Sequence, residues 1–147
     1  MLHNLYTPEG ETLTGIPWQV YPRPQLKRDS YVNLNGEWEL DAEGNIMSIL
    51  VPFCPESLLS GVNRHFPEGE DLVYRRKFTL PEGFLKGRVL LHFGAVDQIA
   101  EVYLNNLFDI SIADILNCDG SLQLIAVADH GSSILTSPYS TSPYVRP

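Results

Sequence analysis

Residues 87–106, GRVLLHFGAVDQIAEVYLNN, constrain the fold of this chain more than any other stretch. Two runs within them, residues 88–93 and 99–104, place apolar side chains at every second position, which is typical of β-strands with one buried face. Gly94 and Asp97 lie between the runs and favour a short connection over a helix, because glycine adds backbone freedom and aspartate accepts hydrogen bonds from nearby amides. The stretch therefore predicts two strands joined by a corner.

Four further segments carry the apolar patterns of short strands. They are residues 31–40, 46–51, 72–80 and 122–128. In the first of them Asn35 and Gly36 indicate a turn or a bulge. A single helical turn is predicted at residues 56–59, because Pro55 suits a first helical position and Gly61 suits a helix stop. Together these patterns predict an all-β fold.

The two ends of the chain lack this periodicity. Residues 1–30 contain four prolines, which remove amide donors and restrict the preceding residues, so we expect an extended proline-rich arm across the β-domain. The aromatic side chains of Trp18 and Tyr21 are expected to hold the arm against the fold. Residues 131–147 are rich in Ser, Thr and Pro and are predicted to form an irregular tail. Residues 31–130 are the predicted β-domain.

Length and charge limit the classes of function. With 147 residues, of which 44% are hydrophobic, the chain is long enough for one domain with a substantial apolar core. Its formal net charge of -8 argues against a nucleic-acid partner, because such a surface needs clustered Lys and Arg to neutralise phosphates. The basic run at residues 75–77 lies in a predicted strand, where neighbouring side chains point to opposite faces and cannot form one patch.

Cysteine usage and the N-terminal sequence bear on the compartment. Neither Cys54 nor Cys118 lies in a CxxC or Cys/His ligand spacing, which favours a reduced, cytoplasmic protein over a disulfide between them. The first ten residues lack the cationic region and apolar run of a secretory signal. No window approaches the ~18 consecutive apolar residues of a membrane span. We therefore expect a cytoplasmic protein with no membrane partner.

Four sequence blocks carry a resemblance to a known family. They are IPWQVYPRPQLKRDSYVNLNGEWEL at 16–40, VPFCPESLLSGV at 51–62, VYRRKFTLP at 73–81 and LLHFGAVDQIAEVYLN at 90–105. In this order they resemble the N-terminal sugar-binding domain of family 2 glycoside hydrolases, the family of β-galactosidases, β-glucuronidases and β-mannosidases. The resemblance implies a jelly-roll, galactose-binding-like β-sandwich.

In that family the sandwich precedes an immunoglobulin-like domain and a (β/α)8 barrel, and the barrel carries both catalytic glutamates. The 147 residues contain no such barrel. The resemblance therefore implies a non-catalytic domain that is inactive by itself. Its expected partners are the barrel and the immunoglobulin-like domain of a full-length relative.

The chain departs from the family pattern after Asn106, where about a dozen residues, the length of one strand and its loop, are missing. The tail also ends near the point where the family supplies a further strand. A deletion, a gene-model error and true divergence all remain open as explanations. A sheet without that strand has an unpaired edge, so self-association is expected. The apolar residues expected to lose their cover are Val102, Leu104, Phe108, Ile110 and Leu124.

No catalytic residue, metal site or cofactor is predicted. Glycoside hydrolysis usually needs two carboxyl groups roughly 5 to 9.5 Å apart. Glu56, Asp97 and Glu101 are available, but turn formation and solvation explain these side chains better than catalysis does. The histidines show no metal-ligand spacing, and a structural role is commoner for a histidine on a strand.

Two hypotheses name binding residues. By the resemblance, the sandwich lends a loop to the rim of the barrel's active site shortly before the YRR strand, which implies Glu70 and Asp71 as exposed rim residues. The alternative hypothesis is a free-standing carbohydrate-binding module, which the sandwich class permits. In that case Trp18, Tyr139 and Tyr144 are the candidates to stack on sugar rings.

Overall fold

The computed structural model describes residues 6–20, 25, 30–84, 89–93, 96 and 100–105, and the backbone of residues 99, 122–129 and 144–146. Within this part of the chain the helices are α1 (Pro8–Thr12) and a 3-10 helix (Leu58–Ser60). The strands are β1 (Val32–Asn33), β2 (Gly36–Ala42), β3 (Asn45–Val51), β4 (Asp71–Phe78), β5 (Leu90–His92), β6 (Ile99–Leu104), β7 (Leu122–Asp129) and β8 (Tyr144–Arg146). None of the described helices is long and apolar enough to cross a membrane.

The strands lie in two sheets. The larger sheet has five strands in the order β3-β2-β4-β7-β6, and the smaller has three in the order β1-β8-β5. All of these strand pairs are antiparallel. Because the described residues form mostly strands and little helix, the prediction of an all-β fold is confirmed.

The strand β2 forms the middle of the core. Its residues Trp38, Leu40 and Ala42 are buried, while the residues between them are exposed or half-buried, as expected for a strand with one buried face. β2 pairs with β3 on one side and with β4 on the other. The buried apolar side chains of the core are Leu34, Trp38, Leu40, Ala42, Ile49, Val51, Phe66, Leu72, Phe84 and Leu104.

A two-residue hairpin connects β2 to β3. Glu43 and Gly44 have φ values of 51 and 85°, and a turn with both central residues at positive φ matches the twist of the flanking strands. The carboxylate Oδ1 of Asp41 accepts the N–H of Gly44 at 2.9 Å. The pairing of β2 with β3 then continues without a bulge over the whole of both strands.

The strand predictions agree with the structure to within one or two residues for β3, β4, β5, β6 and β7. The predicted segment 31–40 is divided at Asn35 into β1 and β2, which belong to different sheets. The predicted helical turn begins at Leu58 rather than Glu56, because the Ser57 side chain accepts the N–H of Leu59 and caps it. It ends, as predicted, at Gly61, whose φ is 81°.

Two predictions about the chain ends are wrong in part. The arm is not extended throughout, since Thr7 caps the short helix α1 by accepting the N–H of Gly10 at 3.1 Å, and Pro8 suits its first turn. The tail is not irregular throughout, because its residues 144–146 form β8, the middle strand of the smaller sheet. Such a short strand depends on partners far away in sequence, so no local pattern predicts it.

The expected loss of cover near β6 is also partly wrong. Leu104 is buried in the core, and the half-buried Val102 packs against it. β6 is nevertheless an outer strand of the larger sheet. Phe108 and Ile110, and the side chain of Leu124, lie outside the described residues.

Two isoleucines of β3 test which face is buried. Ile49 is 0% exposed and Ile46 is 65% exposed. We expect Ile49→Ala to lower the free energy of unfolding by about 2 to 5 kcal/mol, because it leaves a cavity in the core. Ile46→Ala should change it by less than about 0.5 kcal/mol. Urea unfolding followed by circular dichroism at low protein concentration measures both values, and equal losses would contradict this assignment.

Candidate functional site

The arm is held on the β-domain through its backbone. The side-chain amide of Asn33 donates to the carbonyl of Trp18 at 2.7 Å. The amide of Asn35 donates to the carbonyls of Pro17 and Trp18 at 3.3 and 3.4 Å. The Asn33 side chain is fixed in turn, because its Oδ1 accepts the N–H of Asn35 at 2.8 Å. Asn33, in β1, and Asn35, directly before β2, therefore fix two carbonyls of the arm.

The apolar side chains on this part of the arm are exposed. We call the side chains of Ile16, Trp18 and Val20 the arm surface; Trp18 is 57% exposed and Val20 is 79% exposed. The Trp18 ring contacts the Phe53 ring, with centroids 5.5 Å apart and planes at 50°. The predicted anchoring by Trp18 is thus made by its carbonyl as well as by its ring. Tyr21, the other predicted anchor, lies outside the described residues.

A groove of about 680 Å³ crosses β2, β3 and β4, and we call it the outer groove. Its polar lining includes Glu37, Glu39, Ser48, Arg75 and Lys77. The groove is shallow and open to solvent, unlike the clefts that bury most of a small-molecule ligand. Carboxylates accept hydrogen bonds, the cationic groups donate them, and a hydroxyl does both, so the lining suits a polar ligand rich in hydroxyl groups.

Arg75 connects two carboxylates at the outer groove. Its Nη1 lies 3.1 Å from Oε1 of Glu39 and 3.0 Å from Oδ2 of Asp41. The hydrogen bond to Asp41 is the largest cause that raises the pKa of the Arg75 guanidinium, so Arg75 stays charged wherever the fold is stable. Solvent-exposed ion pairs contribute about 0 to 1 kcal/mol to the free energy of unfolding. This network therefore holds the side chains of the groove in position more than it stabilises the fold.

Arg76 has a different environment from Arg75. Its Nη1 donates to the carbonyl of Glu37, in a part of β2 that does not pair with β4, because that ladder begins at Glu39. A Cβ on Gly36 would lie 3.4 Å from this Nη1 and 3.2 Å from Cδ1 of Ile16. The arm, β2 and β4 therefore meet at Gly36, where there is no side chain.

The predicted rim residues do not form an exposed pair. Glu70 is buried, at 5% exposure, so its predicted exposure is wrong. Glu70 closes a tight turn, in which its N–H donates to the carbonyl of Pro67 at 3.3 Å. Asp71 is exposed, as predicted, but it belongs to β4 rather than to the loop and pairs with Asp129 of β7.

Two of the carboxylates considered for catalysis have polar neighbours. The hydroxyl of Tyr103 donates to Oε2 of Glu101 at 2.7 Å, and this hydrogen bond is the main cause that raises the pKa of Tyr103. The pKa of the Cys54 thiol is raised first by desolvation, then by the negative charge of Glu56 and a hydrogen bond with it. A raised pKa lowers the thiolate fraction and disfavours Cys54 as a nucleophile. Asp97 lies outside the described residues.

The remaining candidates are described only in part. Tyr139 lies outside the described residues, and Tyr144 is described by its backbone, which pairs with Asn33 and His92. Of the three proposed sugar-stacking residues, Trp18 is the one whose ring can be assigned to the surface. In the described part of the chain, no group of three or more His, Cys, Asp and Glu side chains could hold a metal ion.

Sequence reasoning missed the two asparagines and the outer groove. Asn33 and Asn35 occupy alternate positions beside Gly36, a pattern that could have indicated two side-chain amides on the same side of an extended segment. No local signal exists for the groove. Ser48 and Arg75 are neighbours there because both pair with Glu39, from opposite sides.

No protein-family model matches this chain, and no curated protein sequence matches it. The resemblance to family 2 glycoside hydrolases is therefore carried by the four sequence blocks.

The asparagine contacts can be tested by releasing the arm. Asn33→Ala removes the shortest of the hydrogen bonds to it, so we expect the free energy of unfolding to fall by about 0.5 to 1.5 kcal/mol. Proteolytic cleavage within residues 6–20 should also become faster, as mass spectrometry of limited digests will show. Asn45→Ala, at the exposed first position of β3, is the matched control. Equal cleavage rates in the two variants would show that the arm is held by other contacts.

The thiol of Cys54 provides a test of local electrostatics. In a Cys118→Ser background, the rate of alkylation by iodoacetamide should reach half its maximum at a pH above the range usual for a free thiol, because the raised pKa delays thiolate formation. Glu56→Gln removes the negative charge and should move this midpoint to lower pH. Glu43→Gln, a change in the exposed turn, should leave it in place. An unchanged midpoint in Glu56→Gln would rule out the proposed influence of Glu56.

Proposed function

We propose that this chain is the non-catalytic N-terminal β-sandwich domain of a family 2 type glycoside hydrolase, with a jelly-roll, galactose-binding-like topology. In this proposal, hydrolysis of O-glycosyl bonds takes place in a barrel that is not part of the 147 residues. The domain packs on that barrel and on an immunoglobulin-like domain, and it shapes the entrance for the substrate. Its location is cytoplasmic, in keeping with the spacing of its two cysteines.

The observation that carries the proposal is the meeting of three of the resembling blocks in one region. Ile16 and Gly36 belong to the first block, Phe53 to the second and Arg76 to the third. The side chains of Ile16 and Arg76 both approach Gly36, and the Trp18 ring contacts Phe53. Segments that are far apart in sequence thus lie together, as expected if the blocks form one structural unit.

The arm surface is the part of this unit that suits a protein partner. Trp18 and Val20 are mostly exposed although both are apolar. Burying a large apolar side chain on association is worth roughly 1.5 to 3 kcal/mol, and tryptophan is enriched among the residues that dominate interface energies. The arm surface is accordingly the proposed contact with the downstream domains. The exposed Asp71 remains the candidate for the substrate rim, and the buried Glu70 is less suited to it.

A carbohydrate-binding module is the second candidate function. The exposed ring of Trp18 favours it, because flat aromatic rings stack on sugars. The outer groove, with its donors and acceptors, would be a second place for sugar hydroxyl groups. The two functions predict different partners for Trp18, so one residue can distinguish them.

Restoration of activity tests the proposal. The DNA that follows the codon for Pro147 should encode a barrel, and that barrel produced alone should turn over chromogenic galactosides, glucuronides and mannosides poorly. Adding the 147-residue chain should restore turnover. Trp18→Ala should weaken this restoration about tenfold or more, because it truncates the centre of the arm surface. Val96→Ala, which changes an exposed apolar residue outside the arm surface and β3, is the matched control.

The other outcomes separate the two functions. Quenching of Trp18 fluorescence by galacto-, gluco- or manno-oligosaccharides without any restoration would favour the carbohydrate-binding module. Turnover by the chain alone that is lost when one of its own carboxylates is changed would overturn the architectural role. Neither restoration nor quenching would reject both functions.

A further inference from the structure

β3 is an outer strand of the larger sheet, and its free edge can be assigned from the hairpin register. Asn45 and Ala42 close the two-residue turn as a hydrogen-bonded pair, and hydrogen-bonded and non-hydrogen-bonded pairs alternate from there along the ladder. Ile46, Ser48 and Leu50 therefore direct their backbone N–H and C=O groups away from β2. One contact supports this assignment, since the carbonyl of Leu50 accepts the N–H of Phe53 at 3.1 Å from outside the ladder.

This edge presents unused hydrogen-bonding groups. In the described part of the chain, no turn or loop hydrogen bond engages the backbone of Ile46 or Ser48, and both residues are exposed. An edge strand with free N–H and C=O groups is a template for pairing with another strand. Proteins usually protect such edges with charged residues, proline, bulges or short strands.

β3 has none of these protections. Its sequence, NIMSILV, contains no charged residue and no proline, and its ladder with β2 has no bulge. The other outer strands in the described part of the chain differ. β1 and β5 have two and three residues, and β6 carries Glu101. β3 is therefore the described edge most open to strand addition.

We propose that a second copy of this chain pairs antiparallel with β3 across a two-fold axis centred on Ser48. In this register Ser48 faces Ser48 of the second copy, and Ile46 faces Leu50. The outward N–H and C=O groups of Ile46 and Ser48 then pair across the axis, and the carbonyl of Leu50, which already accepts the N–H of Phe53, accepts from Ile46 with its second lone pair. The two larger sheets become one continuous sheet. The inference depends on the strand register alone and is independent of the proposed function.

A second copy fits this edge better than an unrelated strand. The chain carries a net charge of -8, so two copies repel each other over most of their surfaces, yet they meet no like charge along β3. Three carboxylates of β2 lie opposite this strand. Two of them, Glu39 and Asp41, are paired with Arg75. Glu37, opposite Leu50, is the one whose charge is offset by no ion pair in the described part of the chain. Apolar Ile46 and Leu50 are complementary under two-fold symmetry, which is the commonest symmetry of protein dimers.

Disulfide trapping tests the register. In a Cys54→Ser, Cys118→Ser background, Ser48→Cys should form a covalent dimer under mild oxidation, because facing Cα atoms about 5.5 Å apart lie in the range for a disulfide. Ile46→Cys is the matched control on the same edge. Its two copies would lie four residues out of register, about 13 Å apart along the strands, and should not be linked.

Sedimentation equilibrium tests the association itself. The native chain should approach twice its mass of 16.5 kDa as concentration rises. Ser48→Lys should raise the dissociation constant of the dimer at least about tenfold, because it places two like charges opposite each other. Circular dichroism shows whether Ser48→Lys is folded. If Ser48→Lys is unfolded, the comparison of Ser48→Cys with Ile46→Cys alone decides whether the dimer forms through β3. A native chain that stays monomeric and is not trapped by Ser48→Cys overturns the proposal. So does a dimer that persists in Ser48→Lys and traps both cysteines equally, since it would use another surface such as the edge of β6.

Discussion

β2 is bonded to β3 along its whole length and to β4 from Glu39 to Ala42, so that half of the strand is fixed relative to both neighbours. A slip of one residue would turn Trp38, Leu40 and Ala42 outward and bring the carboxylates between them into the core. Burying an unpaired carboxylate costs more free energy than the hydrogen bonds of a shifted strand would return. The register of β2 is therefore strongly specified. The indole N–H of Trp38 adds a buried hydrogen bond of 2.8 Å to the carbonyl of Leu34 and fixes the chain where it enters the strand.

The two consecutive arginines of β4 show how one strand serves both faces of a sheet. Arg75 joins Glu39 and Asp41 on the outer face, so opposite charges link β2 and β4 where no apolar cover exists. Arg76 instead reaches the carbonyl of Glu37, beyond the end of the ladder between the same strands. Because guanidinium carries five donors in a planar fork, it can replace missing ladder hydrogen bonds in a way that a lysine ammonium cannot.

How much of this structure a sequence can predict depends on the range of the interactions. The strands of the larger sheet follow from a period of two, which is a property of neighbouring residues. β8 does not follow from such a period, because its three residues form a strand by pairing with β1 and β5, which lie far away in sequence. Glu70 is buried although it follows a loop with no periodic pattern, and the hydrogen bonds of Asn33 and Asn35 reach residues at least fifteen positions earlier. The strands of the larger sheet could therefore be predicted from the sequence, whereas their order and pairing, the arm contacts and the outer groove could not.

The arm is attached by the carbonyls of Pro17 and Trp18, and every amino acid has a carbonyl. Replacing the side chains of Ile16, Trp18 or Val20 would leave these acceptors in place and would remove, at Trp18, the ring contact with Phe53. Folding therefore imposes less selection on the arm surface than on the core. Mutations there could accumulate and change what the surface recognises without first endangering the domain. A protein built in this way can acquire new partners more easily than one whose recognition residues also form its core.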